Sequence, residues 1–169
     1  GLHSGRRISL TLHPGELGSG IVFHRSDLGL DIPARHDLVV ETRLCTQIGL
    51  PGNPEARVGT IEHVMAALAA AGIDDARVEL DGPEVPILDG SAAPFVFLID
   101  CAGMVARNVA APVIEVLKPV RVEDKDAFVA LQPVTMPGFE ASLAIDFAAS
   151  AIGTQSLAMR ITPASFRAG

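Results

Sequence analysis

Residues 60–72, TIEHVMAALAAAG, constrain the fold more than any other stretch of the sequence. At about 100° per residue, one side of a helix here is an apolar stripe of the kind that faces a core. The stripe consists of Ile61, Val64, Met65 and Leu68. The far side has no charged residue and is built from Ala66, Ala67 and Ala70. Gly72 is suited to end the helix. A helix without a charged face predicts a layered protein in which both sides of this helix are covered.

Strand patterns lie on both sides of this helix. Before and just after it, strands are predicted at residues 8–12, 21–23, 38–40, 44–48 and 76–80. A second helix is predicted over about residues 92–101, closed by Gly103. Further strands are predicted at residues 113–123, 127–134, 139–147 and 155–161, and residues 162–166 have the pattern of a helix start.

This order of elements predicts an α+β fold with two similar layered units, each a β-sheet packed on two helices, the second incomplete. The first domain is predicted over residues 1–111, with its N-terminal strand trimmed. The second is predicted over residues 112–169, mostly as strands without their covering helices. A sheet needs a second layer on its apolar face, so we expect this chain to be a piece of a longer protein.

Charge and cysteine content exclude several classes of function. The formal net charge is −7 and no run of basic residues occurs, so no nucleic acid partner is expected. Cys45 and Cys101 form no CxxC motif, and the sequence shows no cleavable leader of the charged-then-apolar type, which predicts a reducing cytoplasm. The longest uncharged runs are shorter than the roughly 20 residues of a membrane span, so none is predicted.

Glu62 and His63 stand side by side in the first turn of the predicted helix, at the edge of a covered face. A histidine there can bind a metal, and a carboxylate beside it can take a proton from water, as in zinc hydrolases. The pair also fits a purely structural interpretation, a capping carboxylate beside a hydrogen-bonded histidine. The spacing alone leaves both open, because the i, i+4 histidine of an HExxH motif is missing.

The stretch TIEHVMAALAAAGIDDARVELDGPEVPILDGSAAPF resembles the hallmark segment of the UDP-3-O-acyl-N-acetylglucosamine deacetylases, the zinc amidases that commit lipid A synthesis in Gram-negative bacteria. The resemblance extends to GLHSGRRISLTLHPG at the start, to RLCT at 43–46 and to KPVRVED at 118–124. It implies two layered domains whose helix layers face each other across the active site. It also implies the substrate, acylated UDP-N-acetylglucosamine, and the cofactor, Zn²⁺.

The resemblance assigns roles to particular residues. Glu62 matches the catalytic general base and His63 matches one of three zinc ligands. Leu2 and His3 match a loop that approaches the substrate, and Leu44 and Cys45 match residues that line the site. The family's remaining ligands come from a His-Lys-x-x-Asp motif, which does not occur here. They are expected in a missing C-terminal part of the parent protein.

Two functions therefore follow as hypotheses. The first is a cytoplasmic zinc-dependent deacetylase. In this hypothesis, the present chain carries only part of the active site and is inactive alone. The alternative is a non-catalytic binding or assembly module derived from the same fold. Retention of both Glu62 and His63 favours the enzyme.

Overall fold

The computed structural model describes residues 1–111 and 113–168. The chain forms two compact units, unit 1 over Gly1–Ala106 and unit 2 from Arg107 onward. Helices occur together with several separate sheets, which confirms the predicted α+β class. Residues 112 and 169, the predicted ends of the second domain, lie outside the described residues, and the domain division at 111 stays a prediction.

Unit 1 contains seven strands, a short 3₁₀ turn (His36–Leu38) and two α-helices. The strands are β1 (Leu10–Pro14), β2 (Ile21–Arg25), β3 (Leu30–Pro33), β4 (Val39–Glu41), β5 (Gln47–Gly49), β6 (Arg57–Val58) and β7 (Ala76–Leu80). The helices are α1 (Glu62–Ala71) and α2 (Ala93–Ala102).

A four-stranded mixed sheet in the order β1-β7-β2-β3 forms the base of unit 1. The central strand β7 is antiparallel to β1 and parallel to β2, so that Val78 pairs with both Leu12 and Phe23. Side chains alternate along β7: Val78 is buried, whereas Arg77 and Glu79 are partly exposed on the other face. This alternation gives the sheet one apolar face. Strands β4, β5 and β6 form a second, antiparallel sheet.

One hydrophobic core joins the two sheets to the two helices. Its fully buried large side chains include Phe23, Ile32, Val78 and Leu80 from the first sheet, Ile48 and Val58 from the second, and Val64, Leu68, Phe95 and Ile99 from the helices. Burial of each such side chain stabilises the folded state by about 1.5–3 kcal/mol. The two helices therefore lie on the apolar face of the sheet, as the layered interpretation predicts.

Helix α1 ends where the sequence predicts. Gly72 has φ 72°, in the left-handed region that glycine adopts without a steric penalty. The Ile73 N–H donates to the Leu68 carbonyl at 3.0 Å, which satisfies a carbonyl at the helix end. Ala67 and Ala70 are buried and α1 packs against α2, so part of the alanine side is already covered.

Several predicted strands are shorter in the structure, and the one predicted over residues 127–134 ends at Leu131. Of residues 113–123, only those from Val120 on form a strand, because Pro119 has no N–H to donate to a ladder. Of residues 44–48, only those from Gln47 on do so, because the backbone of Thr46 is hydrogen-bonded to the start of α1 instead.

Within its described residues, unit 2 has two β-hairpins and a short helix. Its elements are β8 (Val120–Asp124), β9 (Ala127–Leu131), β10 (Phe139–Asp146), β11 (Thr154–Ile161) and α3 (Pro163–Ala168). Strand β8 pairs with β9 and β10 with β11, both antiparallel. Among the described residues of both units, no helix has the length and apolar character needed to cross a membrane.

Candidate functional site

Glu62 and His63 are the first two residues of α1, and both are half-buried. The loop before β5 is bound to this helix end by two hydrogen bonds. The Thr46 N–H donates to Oε2 of Glu62 at 3.0 Å, and the Ile61 N–H donates to the Thr46 carbonyl at 3.3 Å. One carboxylate oxygen of Glu62 therefore fixes the loop that also carries Leu44 and Cys45.

The same helix end carries polar atoms that are not used by the described residues of the protein itself and could act on a ligand. Within residues 1–111 and 113–168, no hydrogen bond involves Oε1 of Glu62 or either ring nitrogen of His63. A free carboxylate oxygen can accept a proton, and a free imidazole nitrogen can bind a metal ion. The pair thus has the two capacities that the hydrolase interpretation requires.

Thr60, two residues before Glu62, has an unusual backbone conformation. Its φ is 57°, which is strained for a β-branched residue and costs on the order of 1–3 kcal/mol. Its side chain is buried, and Oγ1 donates to Oε1 of Glu84 at 3.0 Å. The neighbouring Gly59 pairs with Glu84 as an isolated parallel bridge, which holds the strained segment in place.

Glu84 is a buried carboxylate that collects donors from the N-terminal loop. The His3 N–H donates to Oε1 at 2.9 Å, and the Ser4 N–H donates to Oε2 at 2.9 Å. The ring Nδ1 of His3 also lies 2.9 Å from Oε1. Burial raises the pKa of Glu84, but the hydrogen bonds from His3 and Ser4 outweigh it and lower that pKa to about 2. The carboxylate is therefore ionised throughout the physiological range.

The predicted substrate residues fall into two loops. His3 is brought to Thr60, since its Nδ1 lies 3.4 Å from the Thr60 Oγ1, whereas Leu2 is exposed in the same loop. Leu44 is exposed, and Cys45 is half-buried, with its Sγ 3.7 Å from where a Cβ on Gly59 would be. Both loops therefore meet the segment that leads into Glu62 and His63.

The other three histidines of the chain lie away from this helix end. His13 and His24 are on strands of the first sheet, where they pair with Glu79 and Asp31. His36 is exposed in the 3₁₀ turn. In the part of the chain that the structure describes, no hydrogen bond or ion pair joins any of the three to Glu62 or His63.

Sequence reasoning missed Glu84. Glu84 lies in the GPEVP segment, outside every predicted helix and strand, where a glutamate is ordinarily exposed. The signal was present in its surroundings, because Val85 and the flanking prolines make an unusually apolar setting for a charged side chain. A charged group in such a setting requires partners, and those partners come from distant parts of the chain.

His63 could supply one ligand of a metal site, but not a whole ligand set. A catalytic zinc takes three protein ligands and an open position. Among the described residues, no group of three or more His, Cys, Asp or Glu side chains is arranged to hold a metal ion. A free ring nitrogen beside a carboxylate suits zinc chemistry, so the residues present fit a partial site.

Comparison with known proteins shows the family to which the sequence is similar. The LpxC family model, UDP-3-O-acyl N-acetylglycosamine deacetylase, matches residues 1–169. A UDP-3-O-acyl-N-acetylglucosamine deacetylase of Acidithiobacillus ferrooxidans is 54% identical over 149 residues, which cover 87% of this chain and 47% of that protein.

Two further relatives have the same name. The protein of Anaeromyxobacter dehalogenans is 47% identical over 166 residues, covering 98% of this chain and 52% of that protein. The protein of Myxococcus xanthus is 50% identical over 158 residues, covering 92% of this chain and 49% of that protein. The chain thus spans about half the length of the curated relatives it matches.

Proposed function

Because this chain belongs to the UDP-3-O-acyl N-acetylglycosamine deacetylase family, we propose that the native protein hydrolyses the N-acetyl group of UDP-3-O-acyl-N-acetylglucosamine. The products are the free amine and acetate, and the reaction commits the sugar nucleotide to lipid A synthesis. One observation carries the assignment to this chain: Glu62 and His63 stand at the start of α1 with a carboxylate oxygen and an imidazole free of protein partners in the described residues.

Each residue of the pair has a defined part in this proposal. His63 would hold Zn²⁺ through a ring nitrogen, together with ligands contributed by the rest of the native protein. When bound, Zn²⁺ supplies Lewis-acid activation of water and of the amide carbonyl. Glu62 accepts the proton of the attacking water at Oε1, while its Oε2 stays bonded to the Thr46 N–H.

The two loops supply the substrate contacts. His3 offers a polar group beside Thr60, and the exposed side chains of Leu2 and Leu44 offer apolar surface for the acyl part of the substrate. Cys45, half-buried next to Gly59, contributes through its backbone. Both cysteines are free, which supports a cytoplasmic location.

The test changes Glu62 and His63 separately in the full-length native protein. Glu62→Ala should lower kcat by about 10² or more and leave zinc bound, because a general base contributes about 10²–10⁴. His63→Ala should lower the zinc content measured by atomic spectroscopy. Unchanged turnover of Glu62→Ala would remove this residue from the mechanism.

Glu79→Ala and His13→Ala are matched controls. They alter another glutamate–histidine pair of unit 1, and this pair lies on the outer face of the sheet. Both variants should turn over substrate and retain zinc like the wild type.

The 169-residue chain alone should bind Zn²⁺ weakly and show no turnover, since one histidine and one carboxylate cannot supply three ligands. Turnover by this chain alone would contradict the proposed division of the site.

A further inference from the structure

The Glu84 carboxylate has no free acceptor capacity to offer a substrate. Oε1 faces the His3 N–H, the His3 ring and the Thr60 hydroxyl, and Oε2 faces the Ser4 N–H and, at 3.2 Å, the His3 N–H as well. Only 4% of the residue is exposed. A group that is enclosed and fully hydrogen-bonded in this way acts on its neighbours and not on a ligand.

The backbone around Glu84 is attached to the same segment as its side chain. The Gly59 N–H donates to the Pro83 carbonyl at 2.9 Å, and the Val85 N–H donates to the Gly59 carbonyl at 3.0 Å. Glu84 is therefore held between these two bonds, beside Thr60 and close to the start of α1. The His3 loop, whose residues 2–4 are otherwise exposed, receives its position from this fixed carboxylate.

The contact with Glu84 also determines the tautomer of His3. A carboxylate can only accept, so the ring nitrogen 2.9 Å from Oε1, Nδ1, must carry the proton. In the neutral ring, Nε2 then has a free lone pair. No hydrogen bond occupies Nε2 within the described parts of the chain, 1–111 and 113–168.

We propose that Glu84 is a positioning residue of this site: it holds the His3 loop against Thr60 and fixes the His3 ring with Nε2 presented as an acceptor. Nε2 accepts a hydrogen bond from a hydroxyl or N–H group of the sugar nucleotide. The role in substrate binding rests on the proposed function. The fixed orientation and tautomer of the His3 ring do not depend on it.

The first experiment measures the tautomer of His3 in the 169-residue chain by ¹⁵N NMR of the imidazole. The wild type should show the Nδ1–H form. Glu84→Ala should shift His3 toward the Nε2–H form, and Glu84→Gln, which keeps one acceptor oxygen, should give an intermediate result. An Nε2–H ring in the wild type, or an unchanged tautomer in both variants, would overturn the proposal.

Asp81→Ala is the matched control. Asp81 lies three residues before Glu84 and also accepts a backbone N–H from the N-terminal segment, that of Ser9 at 2.8 Å. It has no contact with His3 among the described residues. Its removal should therefore leave the His3 tautomer unchanged, and a shift equal to that of Glu84→Ala would show general loosening of the segment and would overturn the specific role.

The second experiment measures deacetylation kinetics in the full-length native protein. Glu84→Ala should lower kcat/KM by about 10²-fold through misplacement of His3, and His3→Ala should have a similar effect. In the double variant the effects should not multiply, because both changes remove one interaction. Fully multiplicative effects, or a wild-type kcat/KM in Glu84→Ala, would overturn the proposal.

The two failures can be told apart. A wild-type protein that binds zinc but does not deacetylate this substrate would contradict the proposed function, and the tautomer measurement would still decide whether Glu84 fixes His3. Glu84→Gln replaces Glu84→Ala in the kinetic experiment if circular dichroism shows that the alanine variant is unfolded.

Discussion

At the scale of single residues, the site depends on a strained threonine and a buried carboxylate that support each other. Thr60 has a positive φ that a β-branched residue adopts only when its surroundings impose it. Glu84 avoids the cost of a buried charge only because donors from three other residues reach it. The strained backbone at Thr60 is thus held by hydrogen bonds to Glu84, and these bonds are strongest when that carboxylate is ionised.

Stability should therefore depend on pH through Glu84. Its pKa is lowered from 4.5 to about 2 in the folded protein, so its contribution is fully present above pH 4.5 and is lost as the pH falls toward 2. At 1.36 kcal/mol per pKa unit this amounts to about 3 kcal/mol. Between pH 5 and pH 2, the free energy of unfolding of the wild type should fall by about that much more than that of Glu84→Gln.

Urea unfolding followed by circular dichroism is the suitable measurement, because the chain contains no Trp and no Tyr for fluorescence. Comparison with Glu84→Gln separates the contribution of this carboxylate to stability from the contributions of the other carboxylates that titrate at low pH. Parallel pH profiles for the two proteins would contradict the assignment.

At the scale of elements, a buried arginine links the two sheets of unit 1. Arg25, at the end of β2, donates through Nη1 to the carbonyls of Arg57 at 2.6 Å and Glu55 at 3.2 Å. Its Nε and Nη2 donate to the two carboxylate oxygens of Asp27, each at 2.8 Å. The charge is therefore paired with Asp27, and Nη1 joins the end of β2 to the backbone at β6.

Removal of Arg25 should weaken this junction strongly. Arg25→Ala leaves two carbonyls and the Asp27 carboxylate, whose side chain is 27% exposed, without their donor, and each hydrogen bond with a charged group contributes about 1.5–3 kcal/mol. The chain contains a matched control, because Arg35 and Asp37 form the same bidentate pair two residues apart on the surface. The arginine side chain is 4% exposed in the first pair and 65% exposed in the second.

Arg35→Ala should accordingly change stability little, since solvent screens an exposed pair. Thermal unfolding of both variants under one set of conditions measures the difference. Equal shifts in Tm for the two variants would show that burial does not distinguish the pairs.

At the scale of the whole molecule, the two units differ in how they bury apolar surface. Within the described residues, every fully buried apolar side chain belongs to unit 1. In unit 2 the β10–β11 hairpin alternates, and one of its faces is apolar. The large side chains of that face are Phe139, Leu143, Ile145, Leu157, Met159 and Ile161.

This face should cause the chain to self-associate. Leu143 is 62% exposed and Leu157, its cross-strand partner, is 60% exposed, and contiguous exposed apolar surface favours association. Leu143→Lys should shift the distribution toward monomer in sedimentation velocity at increasing concentration. Ser142→Lys, which adds the same charge on the opposite face of β10, should leave association unchanged. A wild-type chain that is monomeric at every concentration would contradict this prediction.

The sequence by itself determined the α+β class, the helix that stops at Gly72 and the strand over 76–80, because hydrophobic period and glycine at a helix end act within a few residues. It also identified the family, and Glu62 and His63 as the pair at a helix start. Only the tertiary structure decided that Thr46 is bonded to Glu62 and not to a strand, and that His3, Thr60 and Glu84 meet at one point. Those contacts join residues up to 81 positions apart. A buried carboxylate selects its donors by three-dimensional proximity, and no local pattern in the sequence records which distant N–H groups will be there.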